Sequence, residues 1–350
     1  MTRAILRYLV RILFALIALI TLLLSPIAYI EIMCLKDEVT SDFISMLPTE
    51  YHRTESRTFL TYPEWHIVNA YDDYAKVIQF GDPHDYEYLK SISGFWSSLC
   101  TLSKKSASHG GFDFETKQTI YSIGVSFSAE FIFKGLYEET LGRVSTWIRG
   151  DQHSRLDKVS AQQSADYAKF LQQVPWYKWD FAENILQLSK ANTGSFRDQE
   201  RNLALGSEFR VKRAYSNFID AAVEKIGPDA LSLRMIVEDL PVHILKNFKG
   251  VTVIKQHPAG IEIETPRYRK LTHLLAEMAL EGANFIEISG NDDIMLSANS
   301  KLPYNGSLFS VSRQGYGDQR HLIEIKVKTL AEWIRKNDIS QLQLEHIFDY

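Results

Sequence analysis

Residues 12–30 read ILFALIALITLLLSPIAYI, a run without a charged side chain. At 1.5 Å of rise per residue a helix of that length spans about 28 Å, close to the hydrocarbon thickness of a bilayer. Thr21 and Ser25 can bond back to the helix, and Pro26 near the exit end is tolerated. Arg3, Arg7 and Arg11 precede the run; Glu31, Lys36, Asp37 and Glu38 follow it. Basic residues stay on the cytoplasmic side, so the pattern predicts a cytoplasmic N-terminus (residues 1–11), a single transmembrane helix and a body on the far side. The run is long for the apolar core of a signal peptide, and no small-residue cleavage site follows it. An uncleaved anchor is therefore expected.

Residues 31–56 are mixed and polar and read as a membrane-proximal connector. Thr61-Tyr62-Pro63-Glu64 then has the form of a capping box with proline in the first turn, so a helix is expected to start there. Gly81-Asp82-Pro83 stops it. A second helix is predicted over residues 86–102, with Ile92, Phe95, Trp96 and Leu99 on one face, and a third over 116–147. Within the third, residues 120–133 are apolar on nearly all sides. Glu130 and Lys134 leave too short an uncharged stretch for a second span, so a helix buried in the body is expected. Further helices are expected over 160–171 and from 195 to a stop at Gly227-Pro228.

Beyond residue 230 the period shortens to that of strands. Strands are predicted at 232–237, 251–255 and 261–264, and a helix opened by Thr265-Pro266 is predicted to run to 282. A hairpin of 285–289 with 294–298 and another of 308–311 with 321–327 should follow. Thr329-Leu330-Ala331-Glu332 resembles a capping box for a short last helix. The fold class is thus α+β: an N-terminal transmembrane helix, a mainly helical domain (57–228), then a smaller α+β domain with antiparallel hairpins (229–350).

The segments TYPEWHIVNAYDDYA (61–75), ISGFWSSL (92–99), FKGLYEETLGR (133–143) and QQVPWYKWDF (172–181) resemble those of a family of uncharacterised bacterial membrane-anchored proteins. The resemblance covers the helical domain more than the rest. It implies a bacterial inner membrane and a periplasmic body, and carries over no activity or binding residue.

Composition narrows the chemistry. A net charge of −4 gives no broad basic field for nucleic acid. Cys34 and Cys100 are the only cysteines and form no CxxC; they could pair, but spacing alone cannot bring them together. No P-loop, G-x-S-x-G, G-x-G-x-x-G, H-E-x-x-H or Glu-x-x-His occurs, so no cofactor or metal is expected and no catalytic residue is assigned. Candidate polar groups remain. Glu130, Lys134 and Glu138 recur every four residues, and Glu139 and Arg143 form a parallel pair, which sets opposite charges side by side on one helix. His66 and Asp73 share a helical face. These seven make a candidate buried polar cluster, more readily a ladder fixing helix register than an acid–base site. Trp176, Tyr177 and Trp179 suit either a membrane interface or a core plug. The expectation is an interaction or assembly component of the cell envelope. The alternative is a protein that binds a lipid or small apolar ligand, or an enzyme acting on one, at the outer face of the membrane.

Overall fold

The computed structural model describes residues 2–39, 42–150, 153–226, 231–337 and 342–350. Helix α1, Thr2–Met33, carries the apolar run. Among the described residues it is the one helix long and apolar enough to cross a membrane, over Arg7–Met33. Its last turns lean on the body: Ile30 and Cys34 are buried, and Ile27 packs on the same core.

The helical part comprises α2 (Arg57–Ile78), α3 (Tyr88–Ser106), α4 (Phe114–Tyr137), a π-turn (Glu138–Gly142), α5 (Arg143–Arg149), α6 (Arg155–Leu171), α7 (Phe181–Ala191) and α8 (Phe196–Ile226). Their apolar faces meet in one core of Tyr74, Tyr86, Phe95, Phe127, Phe131 and Leu188, with others. Gly124 admits α3 closely: a Cβ there would fall 2.4 Å from the Phe95 ring and 2.9 Å from Trp96. Trp96 Nε1 donates to Ser128 Oγ at 2.9 Å, and Gly135 lies against Tyr88, so α3 and α4 run antiparallel.

The remainder is built on two four-stranded antiparallel sheets. β1 (Ser232–Glu238), β2 (Thr252–His257), β3 (Gly260–Pro266) and β4 (Asn284–Ile288) form the first, in the order β2-β3-β1-β4. A single-turn helix, α9 (Val242–Leu245), links β1 to β2. β5 (Asp293–Ser300), β6 (Phe309–Ser312), β7 (Gln319–Lys326) and β8 (Gln343–Phe348) form the second, in the order β6-β7-β5-β8. Helices α10 (Arg269–Leu280) and α11 (Val327–Asn337) pack with both sheets in a second core. On β5 the period-two alternation serves two cores at once. Ile294, Leu296 and Ala298 face α10 and α11, whereas Met295 joins Leu322 and Phe348 against Phe59, Tyr62, Trp65 and Val68 of α2.

The α+β class therefore holds, and several local expectations are corrected. Helix α2 begins at Arg57, not at Thr61. The Thr61 hydroxyl bonds back to the Arg57 carbonyl and across to that of Asp349, and Pro63 lies inside the helix. Residues 285–298 do not make a hairpin, because β4 pairs with β1 and β5 with β7 and β8. Ser289 and Gly290, both at positive φ, turn the chain from one sheet to the other, and a Cβ on Gly290 would strike the His52 ring at 2.7 Å. Thr265 and Pro266 close β3 and the helix starts at Arg269. Thr329 sits inside α11, and β8 follows that helix. Helix α4 is not buried all round: Phe133 and Leu136 are exposed. The expected stop at Gly227-Pro228 lies outside the described residues.

Cys34 and Cys100 are joined in a disulfide that closes a 66-residue separation and ties the exit of α1 to α3. Reduction should lower the stability of the body by about 2–4 kcal/mol, mostly by freeing the unfolded chain. Alkylation followed by intact-mass measurement should find no reactive thiol before reduction and two after it. Label taken up by the untreated folded protein would refute the bond.

Candidate functional site

Glu130, Lys134 and Glu138 lie on one face of α4 and its π-turn, as their spacing requires, but their ionic partners come from α8. Lys212 reaches Glu130 at 2.8 Å and Glu208 at 2.9 Å. Lys134 reaches Glu208 at 3.4 Å and sits over the Tyr74 ring, 4.2 Å from its centroid. The Tyr71 hydroxyl donates to Glu130 at 2.5 Å. One turn on, Glu138 meets Arg201 at 2.6 Å, and Asp157 takes Arg201 at 3.2 Å and Arg197 at 3.3 Å. Glu200 closes the set against Arg197 at 2.6 Å and accepts from Tyr137. Five carboxylates thus face four cations in a ladder between α4, α6 and α8. Arg201 is the largest side chain fully withdrawn from solvent.

Two groups at the centre of the ladder are driven away from neutrality. Burial alone would push the Glu208 carboxyl up, but Lys134 and Lys212 together pull it down to about 2. Burial would push Lys212 down, but Glu130 and Glu208 hold it well above the usual lysine range. A general acid or base works best with its pKa near the operating pH. Glu208 and Lys212 stand on the wrong sides of it for proton transfer and suit a structural register lock.

The other candidate residues are not brought into this cluster. Glu139 and Arg143 pair with each other at 2.6 Å on the surface, so they are not buried. His66 points into the helical core. Its Nε2 lies 2.8 Å from the Ser91 carbonyl, its ring contacts Phe95 and Phe127, and burial brings its pKa down to about 4. Asp73, two turns on, turns instead to the second sheet and accepts the Gln314 N–H at 3.0 Å. Burial raises it to about 7 against the pull of Arg320. The Trp176 ring lies tilted against Tyr215 and that of Trp179 against Tyr167 and Phe170; both are half-buried at the edge of the helical core, as Tyr177 is beside Trp176.

A second cluster, not foreseen, lies where the helical part meets the second sheet. His109 Nε2 is 2.9 Å from Glu324, and Nδ1 is 3.4 Å from Glu55 and 3.8 Å from Asp293. Lys105 pairs with Glu324 at 2.7 Å and Lys326 with Asp293 at 2.6 Å. Burial would lower His109, but Glu324 and Glu55 raise it to about 9. Donor atoms of Glu55, His109 and Asp293 come within 4.8 Å of one another, a spacing open to a cation. With two lysines and a protonated imidazole already there, the cluster is closed electrostatically as it stands. Nearby, Arg320 binds Glu345 through two contacts of 2.5 and 2.7 Å, and the His346 ring stacks on Trp65 at 3.5 Å. No spacing in the sequence signals these pairs, since their members lie far apart along the chain.

A cleft of about 440 Å³ opens beside the start of α4, lined by Arg57, Thr61, Glu64, Asp113, Thr116 and Arg267, among others. None of the ladder residues lines it. The chain matches no family model, no curated protein and no solved structure, so its site is read from its own geometry.

Two outcomes follow. Arg201→Met leaves Glu138 buried without its cation and Asp157 with Arg197 alone, and should cost about 3–5 kcal/mol, whereas Arg143→Ala, on an exposed pair, should leave the midpoint of thermal unfolding in place. Equal effects would remove the ladder's structural role. The pH profile of unfolding tests the junction. His109 is raised, so its contribution is complete below about 6.5 and is lost as pH climbs through about 9. His66 is lowered, so its contribution is complete above about 6.5 and is lost as pH falls through about 4. His109→Gln should flatten the alkaline limb of the profile and spare the acid limb.

Proposed function

We propose that this chain is a single-pass membrane protein of the bacterial envelope. Its periplasmic body acts as a rigid, non-enzymatic platform for assembly with other envelope proteins. The observation that carries the reading is mechanical. The anchor is bonded to α3 through Cys34–Cys100, and α2 is locked to the second sheet through a mixed apolar cluster, so anchor, bundle and sheets form one oriented piece. Such rigidity suits a part whose task is to present surfaces at fixed height and angle over a membrane.

Two observations and the expectation from the resemblance support the compartment. Basic residues crowd the N-terminal side of the apolar run, which favours a cytoplasmic start. A structural disulfide belongs to an oxidising compartment. The resemblance over the helical domain points to a bacterial inner membrane. The alternative of an apolar-ligand protein has less behind it: the cleft beside α4 has a largely polar lining, and the ladder's charges are spent on one another.

The test is reciprocal co-purification from detergent extracts, coupled to in-cell photocrosslinking from exposed positions of the two-sheet part. Specific, reproducible partners in both directions are expected. No partner above background in either would remove the platform reading. A reporter active only in the cytosol that works when fused after Tyr350 would remove the compartment.

A further inference from the structure

The anchor and the body overlap along the membrane normal. Pro26 and Ile27 are half-buried and Ile30 is buried, yet all three belong to the uncharged run that must lie in hydrocarbon. What covers them is the body. Glu31 pairs with Lys117 at 3.8 Å and accepts from Tyr121 at 2.5 Å, which sets the start of α4 beside the exit of α1. The chain then follows α3 in the same direction, from the bond at Cys100 to the Val39 N–H on the Ala107 carbonyl. Since α3 and α4 are antiparallel, α4 runs from that point back toward the membrane.

The surface that α4 and α5 carry in that direction is apolar. Phe133, Leu136, Leu141, Val144, Trp147 and Ile148 are each more than half exposed, Trp147 at 82%. The π-turn is what keeps them together. An α-helix repeats a face after three or four residues; the extra residue of a π-turn makes the step from Leu136 to Leu141 five. Val144 and Ile148 then resume the stripe at three and four. The same turn holds Glu138 inward on Arg201, and at the end of α5 Arg149 pairs with Asp82 at 2.9 Å. Thr140, exposed between them, returns its hydroxyl to the Leu136 carbonyl at 2.7 Å, and the neighbouring Glu139 and Arg143 neutralise each other.

We infer that this face is a second membrane contact: α4, the π-turn and α5 lie obliquely in the outer leaflet, with the six apolar side chains among the acyl chains. The occupant is lipid because the helix that carries this face is bonded at its start to the exit of α1, the helix proposed to run into the bilayer. A surface-lying helix with one apolar face is the usual form of such a contact. The inference rests on the anchor reading above and extends it from a point attachment to a two-element seat that fixes the tilt of the body.

The test uses the full-length chain in vesicles of phosphatidylethanolamine and phosphatidylglycerol. A photoreactive benzophenone amino acid is placed at Val144 or Trp147, and in parallel at Ile20 of α1 and at Ile254 on β2, both exposed. Lipid adducts at 144 and 147 should come within about threefold of those at 20 and exceed those at 254 by about tenfold or more, as for an inserted helix face. Adducts at 20 alone would overturn the inference and leave the anchor standing. Crosslinks from 144 and 147 to a second polypeptide would overturn it in favour of a protein interface, and equal yields at 254 would overturn it as unspecific. No lipid adduct at 20 would bring down the anchor reading and this inference together.

Discussion

The packing of α2 on the second sheet is the contact from which the rest of the molecule takes its arrangement. Fourteen of the 22 residues of α2 are buried, too many for a helix with one solvent face. On one side Tyr71, Tyr74 and Ile78 enter the helical core; on the other Phe59, Tyr62 and Trp65 enter a cluster with Met295, Leu322 and Phe348. Thr58 threads this seam, donating to the Phe348 carbonyl at 2.9 Å and accepting the Met295 N–H at 3.0 Å. Because β5 shares its other face with α10 and α11, this seam cluster and the second core are separated by a single layer of backbone. Motion of one core against the other would break apolar contacts and buried hydrogen bonds at once. This is why the body behaves as one piece.

Charge burial does for the bundle what apolar packing does for the seam. Arg201 and Glu138 gain little net energy over an apolar pair of similar size, since desolvation offsets much of their attraction. Their value is directional. A carboxylate on α4 finds its cation only when α8 has the right rotation and height, and the same holds for Glu130 with Lys212 and Lys134 with Glu208. Three such pairs over two turns leave one register. The consequence reaches outward: with α4 held in rotation by its inner charges, its outer apolar stripe has a fixed direction too.

These features divide by how far apart along the chain their causes lie. The long apolar helix was legible because hydrophobicity acts within thirty residues. The four-residue recurrence of Glu130, Lys134 and Glu138 was legible for the same reason, but their partners of opposite charge lie some 60–80 residues on, in a helix whose own sequence gives no pairing rule. Thr61-Tyr62-Pro63-Glu64 carries all the local marks of a helix start. The helix nevertheless begins a turn earlier, since Thr58 and Phe59 gain partners on the sheet and Thr61 is drawn to Asp349. Residues 285–298 carry the marks of a hairpin, yet positive φ at Ser289 and Gly290 sends the second strand to a different sheet. Tertiary contact overrode local preference at each of these places. The disulfide was beyond reach for a related reason: its geometry depends on how α1 leans, which no spacing encodes.

That lean has a further consequence for how the body meets the bilayer. A helix joined to a soluble domain by a free linker leaves the domain to tumble, and its surface need not match the membrane anywhere. Here the tie at Cys34 comes immediately after Met33, the last residue of α1. Five residues later Val39 is already bonded to the α3–α4 connection, and the following stretch is held too: Glu287 accepts the Leu47 N–H at 2.8 Å, and Leu47 packs on Ile236 and Ile286. No slack separates span and body, so any tilt of the span is a tilt of the whole molecule. If α1 spans the bilayer as proposed, the side of the bundle toward which α4 runs is not neutral toward lipid. A polar face there would be forced into hydrocarbon or would push the span off its preferred angle. An apolar face, kept continuous through the π-turn, lets the span and the bundle settle at the same depth.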